Sequence, residues 1–235
     1  MLSKNQIKYI RSLEHKKFRD KYGVFVAEGP KLIADLRSHF ELVELIEGDD
    51  VARISFQETP QNIFAIFRKD TDASADLAPY PATQLCLALD DIQNPGNLGT
   101  IIRMADWFGI EHIYCSKGCA DIYSPKVVQA TMGSMARVRI HYTDLAVFTE
   151  SLANTPVYGT FLDGDNIYNQ QLTSNGLIVM GNEGHGVSAD VARNVTRRLL
   201  IPNYPEGRET GESLNVAIAT SIICAEFRRR ETTSK

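Results

Sequence analysis

From residue 85 onward, short apolar runs alternate with helix-patterned segments, and this alternation constrains the fold more than any other feature of the chain. The run 85–89, LCLAL, carries no polar residue, as a strand covered on both faces requires. Further strands are expected at 111–115, 138–141, 157–161, 177–180 and 199–201. Between them, Asn97 is expected to cap a helix to 107 that Gly109 stops, with Asn94 in the preceding turn. Ser124-Pro125 starts a helix to 135, Asp144 caps one to 153, Ser188 caps one to 195, and Ser213 begins a last helix through 228. Strands separated by helices imply an α/β fold, a parallel sheet with helices on both faces. Ligands of such sheets sit outside the carboxyl ends of the strands.

A polar stretch, KDTDASADLAPYPAT at 69–83, separates this region from a smaller one. Before it, Ile7, Ile10 and Leu13 predict a helix over 3–17, followed by a basic turn at 19–22 and a strand at 24–27. Pro30 opens a helix to 36, and 42–46 and 63–67 are strand-like. The expected division is a small α/β unit at 1–70, a linker at 71–83 and a larger unit at 84–235.

The net charge of −4 argues weakly against a polyanionic partner, but its distribution is uneven. Residues 1–37 hold nine Lys/Arg against four Asp/Glu, whereas 38–62 hold one Arg against six acids. A basic segment on an acidic chain fits either a local polyanion-binding face or a solvated helix end. No apolar run approaches the roughly 20 residues that span a bilayer, and residues 1–17 contain no run of signal-peptide length. Cys86, Cys115, Cys119 and Cys224 form no CxxC and have no His/Cys cluster beside them. Buried thiols in a cytoplasmic protein, with no metal site, are the expectation.

Three unusual segments follow three of the expected strands: DDIQNPGNLGTIIRMADWFG (90–109), MGNEGHGVS (180–188) and IPNYPEGRETGESLNVAIA (201–219). Singly, each reads as a Gly-rich turn with caps. Together they bring glycines, amides, carboxylates and an arginine to one end of one sheet, which points to a binding site. GNLGTIIR lacks the lysine of a P-loop, and Gly181, Gly184 and Gly186 form G-x-x-G-x-G late in the chain, unlike a dinucleotide fingerprint.

These segments, in this order and strand context, resemble motifs one, two and three of the SpoU/TrmH-type RNA ribose 2′-O-methyltransferases of the SPOUT class. The stretch IRSLEHKKFRDKYGVFVAEGPKLIADL resembles the RNA substrate-binding domain often found before that catalytic domain. The resemblance implies a C-terminal trefoil knot, a homodimer packed near it, and S-adenosylmethionine bound in the knotted loops. It also implies methyl transfer to a ribose 2′-hydroxyl of rRNA or tRNA. A non-enzymatic RNA-binding protein on the same scaffold is the alternative, disfavoured by the retained motif residues.

Carried onto this sequence, the resemblance makes Arg103, Asn97, Glu183, Ser213 and Asn215 the candidate catalytic residues. Arg103 suits a phosphate fork and a stabiliser of alkoxide charge better than a base, because a guanidinium stays protonated. In the family it can act across the dimer interface. Asn97 either orients Arg103 or the ribose, or only caps its helix. Glu183 either accepts hydrogen bonds from backbone amides or Asn215, or aids proton removal. His185 is expected at the solvent edge. The implied cofactor residues are Thr160, Gly181, Asn182, Glu183, Ile201 and Leu214. For RNA docking, Lys16, Lys17, Arg19 and Lys21 are the candidate cations, with Tyr22 for stacking and Phe25 more a core residue. The stretch 203–212 is longer than usual for motif three.

Overall fold

The computed structural model describes residues 1–70, 79–205, 208, 211 and 213–233. Most of the expected linker, 71–78, therefore lies outside the described residues, as does Glu209 in the long motif-three segment.

Ser3 and Gln6 form a capping box that opens α1 (Lys4–Ser12). The single helix expected over 3–17 is in fact two. The chain turns at Leu13, which is fully buried, and restarts as α2 (Lys16–Tyr22), which Gly23 ends at φ 63°. The break is stabilised by Arg19, whose Nη1 donates to the carbonyls of Leu13 (2.7 Å) and Glu14 (2.6 Å). These are among the carbonyls that the end of a helix leaves without partners. The basic stretch 19–22, expected as a turn, is helix for that reason. After it come β1 (Val24–Glu28), α3 (Pro30–Leu36), β2 (Leu42–Glu47) and β3 (Ile63–Arg68), forming an antiparallel sheet in the order β1-β3-β2.

The larger unit runs β4 (Leu85–Leu89), α4 (Pro95–Trp107), β5 (His112–Ser116), α5 (Pro125–Thr131), β6 (Arg139–Thr143) and α6 (Leu145–Glu150). It continues through β7 (Val157–Asn166), β8 (Gly176–Met180), α7 (Ala189–Ala192), β9 (Arg197–Leu200) and α8 (Val216–Thr233). Its six strands are parallel throughout, in the order β6-β5-β4-β8-β7-β9. Leu85, Leu87 and Leu89 face a core shared with α4, α5 and α8, while Cys86 and Ala88 face Leu145, Phe148 and Val191 of α6 and α7. The expected two-faced burial of LCLAL follows from the helices on both sides.

Several boundaries differ from expectation. Asn94, not Asn97, caps α4: its Oδ1 accepts from the Gly96 and Asn97 amides, and Pro95 takes the first helical position. Helix α5 stops at Thr131 because Met132 and Gly133 adopt left-handed conformations. Ser188 precedes a helix of one turn and makes no side-chain cap bond. Helix α8 begins at Val216 rather than Ser213, with Asn215 Oδ1 accepting from the Ala217 and Ile218 amides. The C-terminal segment in which the resemblance implies a knot includes residues 206, 207, 209, 210 and 212, which lie outside the described residues.

The two units share one buried cluster: Phe25, Leu32, Leu36 and Phe67 of the smaller unit join Leu87, Ile101 and Val127 of the larger. Phe25 and Tyr123 place their ring centroids 5.0 Å apart across the junction. Beside them, Arg19 Nη2 donates to Asp121 Oδ2 at 2.6 Å, an ion pair between side chains that are 3% and 15% exposed. Removing one partner of such a pair strands the other charge in a poorly solvated place. Asp121→Ala should therefore cost about 3 kcal/mol of stability, read as a lower denaturant midpoint at unchanged m-value.

Candidate active site

The turn after β4 holds the site together. Asp90 is buried, and its Oδ2 accepts the Ser188 amide at 2.8 Å. Asp91 sits at φ 60°, its carbonyl accepting from Asn182 Nδ2 at 2.8 Å and its amide donating to Ser116 Oγ at 2.8 Å. Asn182 turns its own Oδ1 back to the amides of Gly184 (2.8 Å) and His185 (3.2 Å). The loop after β8 then closes through paired Asn182–Gly186 backbone hydrogen bonds. A Cβ on Gly181 would lie 2.2 Å from the Gly186 carbonyl carbon and 2.3 Å from the Val187 nitrogen, so only glycine allows this close approach.

Three side chains then join the three loops. Asn215 Nδ2 donates to Asn97 Oδ1 at 3.1 Å, and Asn97 Nδ2 donates to Glu183 Oε1. Each amide has one donor end and one acceptor end, so the direction of this chain is fixed. Asn215 spends its oxygen on the amides of α8 and must offer its nitrogen. Asn97 must accept from it and turn its own nitrogen to the carboxylate. The expected partner of Glu183, Asn215, is thus reached through Asn97.

A cavity of about 610 Å³ opens at the carboxyl ends of β7, β8 and β9. Thr160, Gly181, Asn182, Glu183, Ile201 and Leu214 all line it, as does Ser213. Apolar walls come from Leu162, Ile201, Leu214 and Ile223, and the exposed His185 lies at the rim. Thr160 Oγ1 donates to the Val179 carbonyl at 3.2 Å, which leaves the hydroxyl oxygen able to accept. The volume and the mixed lining suit a small ligand held by a few polar groups.

Arg103 lies apart, on the exposed face of α4, outside the cavity lining and without an ion-pair partner among the described residues. Lys16, Lys17 and Lys21 are exposed on α2. Arg19 is corrected: it is 2% exposed and engaged by Leu13, Glu14 and Asp121, so it cannot also grip a phosphate at the surface. Phe25 is fully buried, whereas Tyr22 is exposed and packs edge-on to Tyr9. Asp90 and Asp91 were not singled out from the sequence, although a pair of acids directly after an apolar strand marks the sheet edge where ligands sit.

The model of the SpoU rRNA Methylase family matches residues 84–225. The chain belongs to the SpoU rRNA methylase family. An MRM3-like substrate binding domain matches residues 4–51. The chain is 29% identical, over 96% of its length and 97% of the relative's, to the 23S rRNA (guanosine(2553)-2'-O)-methyltransferase RlmP of Bacillus subtilis. A solved TrmH-family chain from Porphyromonas gingivalis is 40% identical, with a TM-score of 0.86 over 98% of this chain and 99% of that one. An AdoMet-bound rRNA methyltransferase from Sinorhizobium meliloti is 29% identical, with a TM-score of 0.84 over 98% and 97%.

Within this SpoU family member, the close approach at Gly181 gives a direct check. Gly181→Ala has to break the Asn182–Gly186 pairing, an overpacking that costs about 1–3 kcal/mol. Chemical denaturation of the variant should show that loss; full wild-type stability would mean that the loop approaches less closely than described.

Proposed function

We propose that this chain transfers the methyl group of S-adenosylmethionine to a ribose 2′-hydroxyl of rRNA. The observation that carries the reading is the hydrogen-bonded chain Asn215–Asn97–Glu183, which joins the three motif loops beside a cavity lined by every expected cofactor residue. The cavity fits S-adenosylmethionine in volume and lining: apolar Leu162, Ile201, Leu214 and Ile223 for the adenosine, and polar Thr160, Asn182, Glu183 and Ser213 beside them. When bound, the cofactor supplies an electrophilic methyl carbon on a sulfonium. The rRNA relatives support the substrate class, and the match at 4–51 supports an RNA-docking role for the first unit, 1–70, ahead of the catalytic unit, 84–235.

The residues divide the work. Gly181, Ile201 and Leu214 hold the cofactor by main chain and contact, with Thr160 on the adenosine side. Glu183 Oε1 is fixed by Asn97, and its Oε2 has no hydrogen bond among the described residues, so that oxygen is the one we assign to accept the hydroxyl proton. Ser213, on the cavity wall, helps to position the ribose. Arg103 grips the neighbouring phosphate and stabilises the developing alkoxide.

Arg103 does not line the cavity of its own chain, which supports the homodimer the resemblance implies. Thr100, Arg103 and Trp107 share one exposed face of α4, and Trp107 is 84% exposed. Ile218 is 55% exposed on α8, which packs against α4. Exposed Trp107 and Ile218, towards opposite ends of the α4–α8 pair, are apolar groups that a second copy would cover. Among the described residues no helix is long and apolar enough to cross a membrane. The likeness to the Bacillus subtilis rRNA methyltransferase supports a cytoplasmic location.

Labelled cofactor with bulk rRNA and tRNA tests the reaction: transfer to rRNA is expected, and cofactor binding without transfer to either would favour the non-enzymatic alternative. Glu183→Gln should lower kcat by about 10²–10⁴-fold, and Arg103→Ala by at least about 10²-fold, both with cofactor affinity kept in calorimetry. A near-normal rate in either variant removes that residue from the mechanism. Light scattering should give twice the chain mass for the wild type and the single mass for Trp107→Asp; an active wild-type monomer contradicts the dimer.

A further inference from the structure

A second cavity, of about 900 Å³, lies where the two units meet, away from the cofactor site. Its lining includes five cations, Lys16, Lys69, Lys117, Arg137 and Arg139, against three carboxylates, Asp20, Asp70 and Asp121. The cleft is thus net positive on a chain whose net charge is −4. Every one of its carboxylates is already engaged. Asp20 pairs with Lys69 at 2.6 Å, Asp121 with Arg19 at 2.6 Å, and Asp70 with His39 at 3.3 Å. Arg137 is held by Asp106 at 2.6 Å. Lys16, Lys117 and Arg139 remain: all three are exposed, and none has an ion-pair partner among the described residues.

These three cations come from both units. Lys16 opens α2, Arg139 opens β6, and Lys117 sits in the tight turn closed by the Cys119 amide on the Ser116 carbonyl at 3.1 Å. That turn is fastened to the active site. Ser116 Oγ accepts the Asp91 amide, and the Gly118 Cα faces the Asp91 carboxylate so closely that a Cβ would lie 2.1 Å from Oδ1. Asp91 in turn accepts from Asn182, the neighbour of Glu183. Uncommitted cations thus run from α2 and the start of β6 to the turn after β5, which Asp91 links to the loop carrying Glu183.

Resting on the reading above, we propose that this cleft holds the phosphate backbone of the substrate RNA, with Lys117 and Arg139 of the catalytic unit as phosphate contacts that continue the surface begun by Lys16. The partner is a single RNA strand or loop, because a 2′-hydroxyl has to be splayed out to reach Glu183. Phosphate contacts set register along the strand and do not read sequence. Each contact to a single strand contributes about 0.7 to the slope of log affinity against log salt.

The experiment measures the affinity of the full chain for a fluorescently labelled rRNA fragment by anisotropy, across a fourfold range of salt. Lys117→Ala and Arg139→Ala are each expected to weaken binding. Each should also cut the loss of affinity across that range by about 2.6-fold, the salt dependence of one phosphate contact. Lys117→Arg should restore the wild-type slope. Cofactor affinity and melting temperature, measured on the same variants, identify any general structural damage. A merely structural role for either residue would move those and leave the slope alone. Unchanged RNA affinity and slope in both alanine variants would overturn the proposal, as would a wild type that binds no RNA. RNA binding that loses its slope on substitution, in a protein that transfers no methyl, would instead refute the catalytic reading and leave the cleft in place.

Discussion

An amide side chain presents a donor at one end and an acceptor at the other, and the active site depends on that polarity at Asn97. The carboxylate of Glu183 only accepts, and the oxygen of Asn215 is taken by the amides of α8, so a single orientation of Asn97 satisfies both neighbours. Residues 97, 183 and 215 come from three loops that the chain builds far apart, and one side chain at the start of α4 fixes their spacing. Around it, Asn182 repeats the device with backbone partners and Asp90 accepts the Ser188 amide, together pinning the β8 loop to the end of β4. The Glu183 carboxylate is therefore oriented before any ligand arrives, the condition under which hydrogen bonds contribute most to a transition state.

The architecture was largely legible because a parallel sheet leaves a plain pattern. The LCLAL run, buried on two faces, and the helix-period segments that follow each strand place the carboxyl edge, and with it the three motif loops. The cap of α4 was misplaced by three residues. Asn94 and Asn97 are equally good capping residues, but Pro95 favours the first helical position, so the residue before it had to be the cap. That freed Asn97 for the site. Arg19 was misread for a different reason. Its burial depends on Asp121, 102 residues away, and on a helix break whose carbonyls it satisfies. Local charge carries no trace of such a tertiary partner.

The cavity assigned above to the cofactor is shaped by the path of the backbone as well as by side chains. The loop at its edge closes on itself at a glycine that no other residue can replace without moving Gly186. The cavity's remaining walls mix aliphatic Leu162, Leu214 and Ile223 with Thr160, Phe161 and Ser213.

The smaller unit does not dangle from the larger one. Phe25 and Phe67 interdigitate with the same apolar cluster that supports Ile101 and Val127 of α4 and α5, and Arg19 fastens the seam. A seam of this kind joins the two units through one apolar core, so the span between α2 and the cavity at β7, β8 and β9 is set by packing. On the function proposed above, the molecule would work as a caliper, choosing a nucleotide by its distance from the strand that the first seventy residues hold.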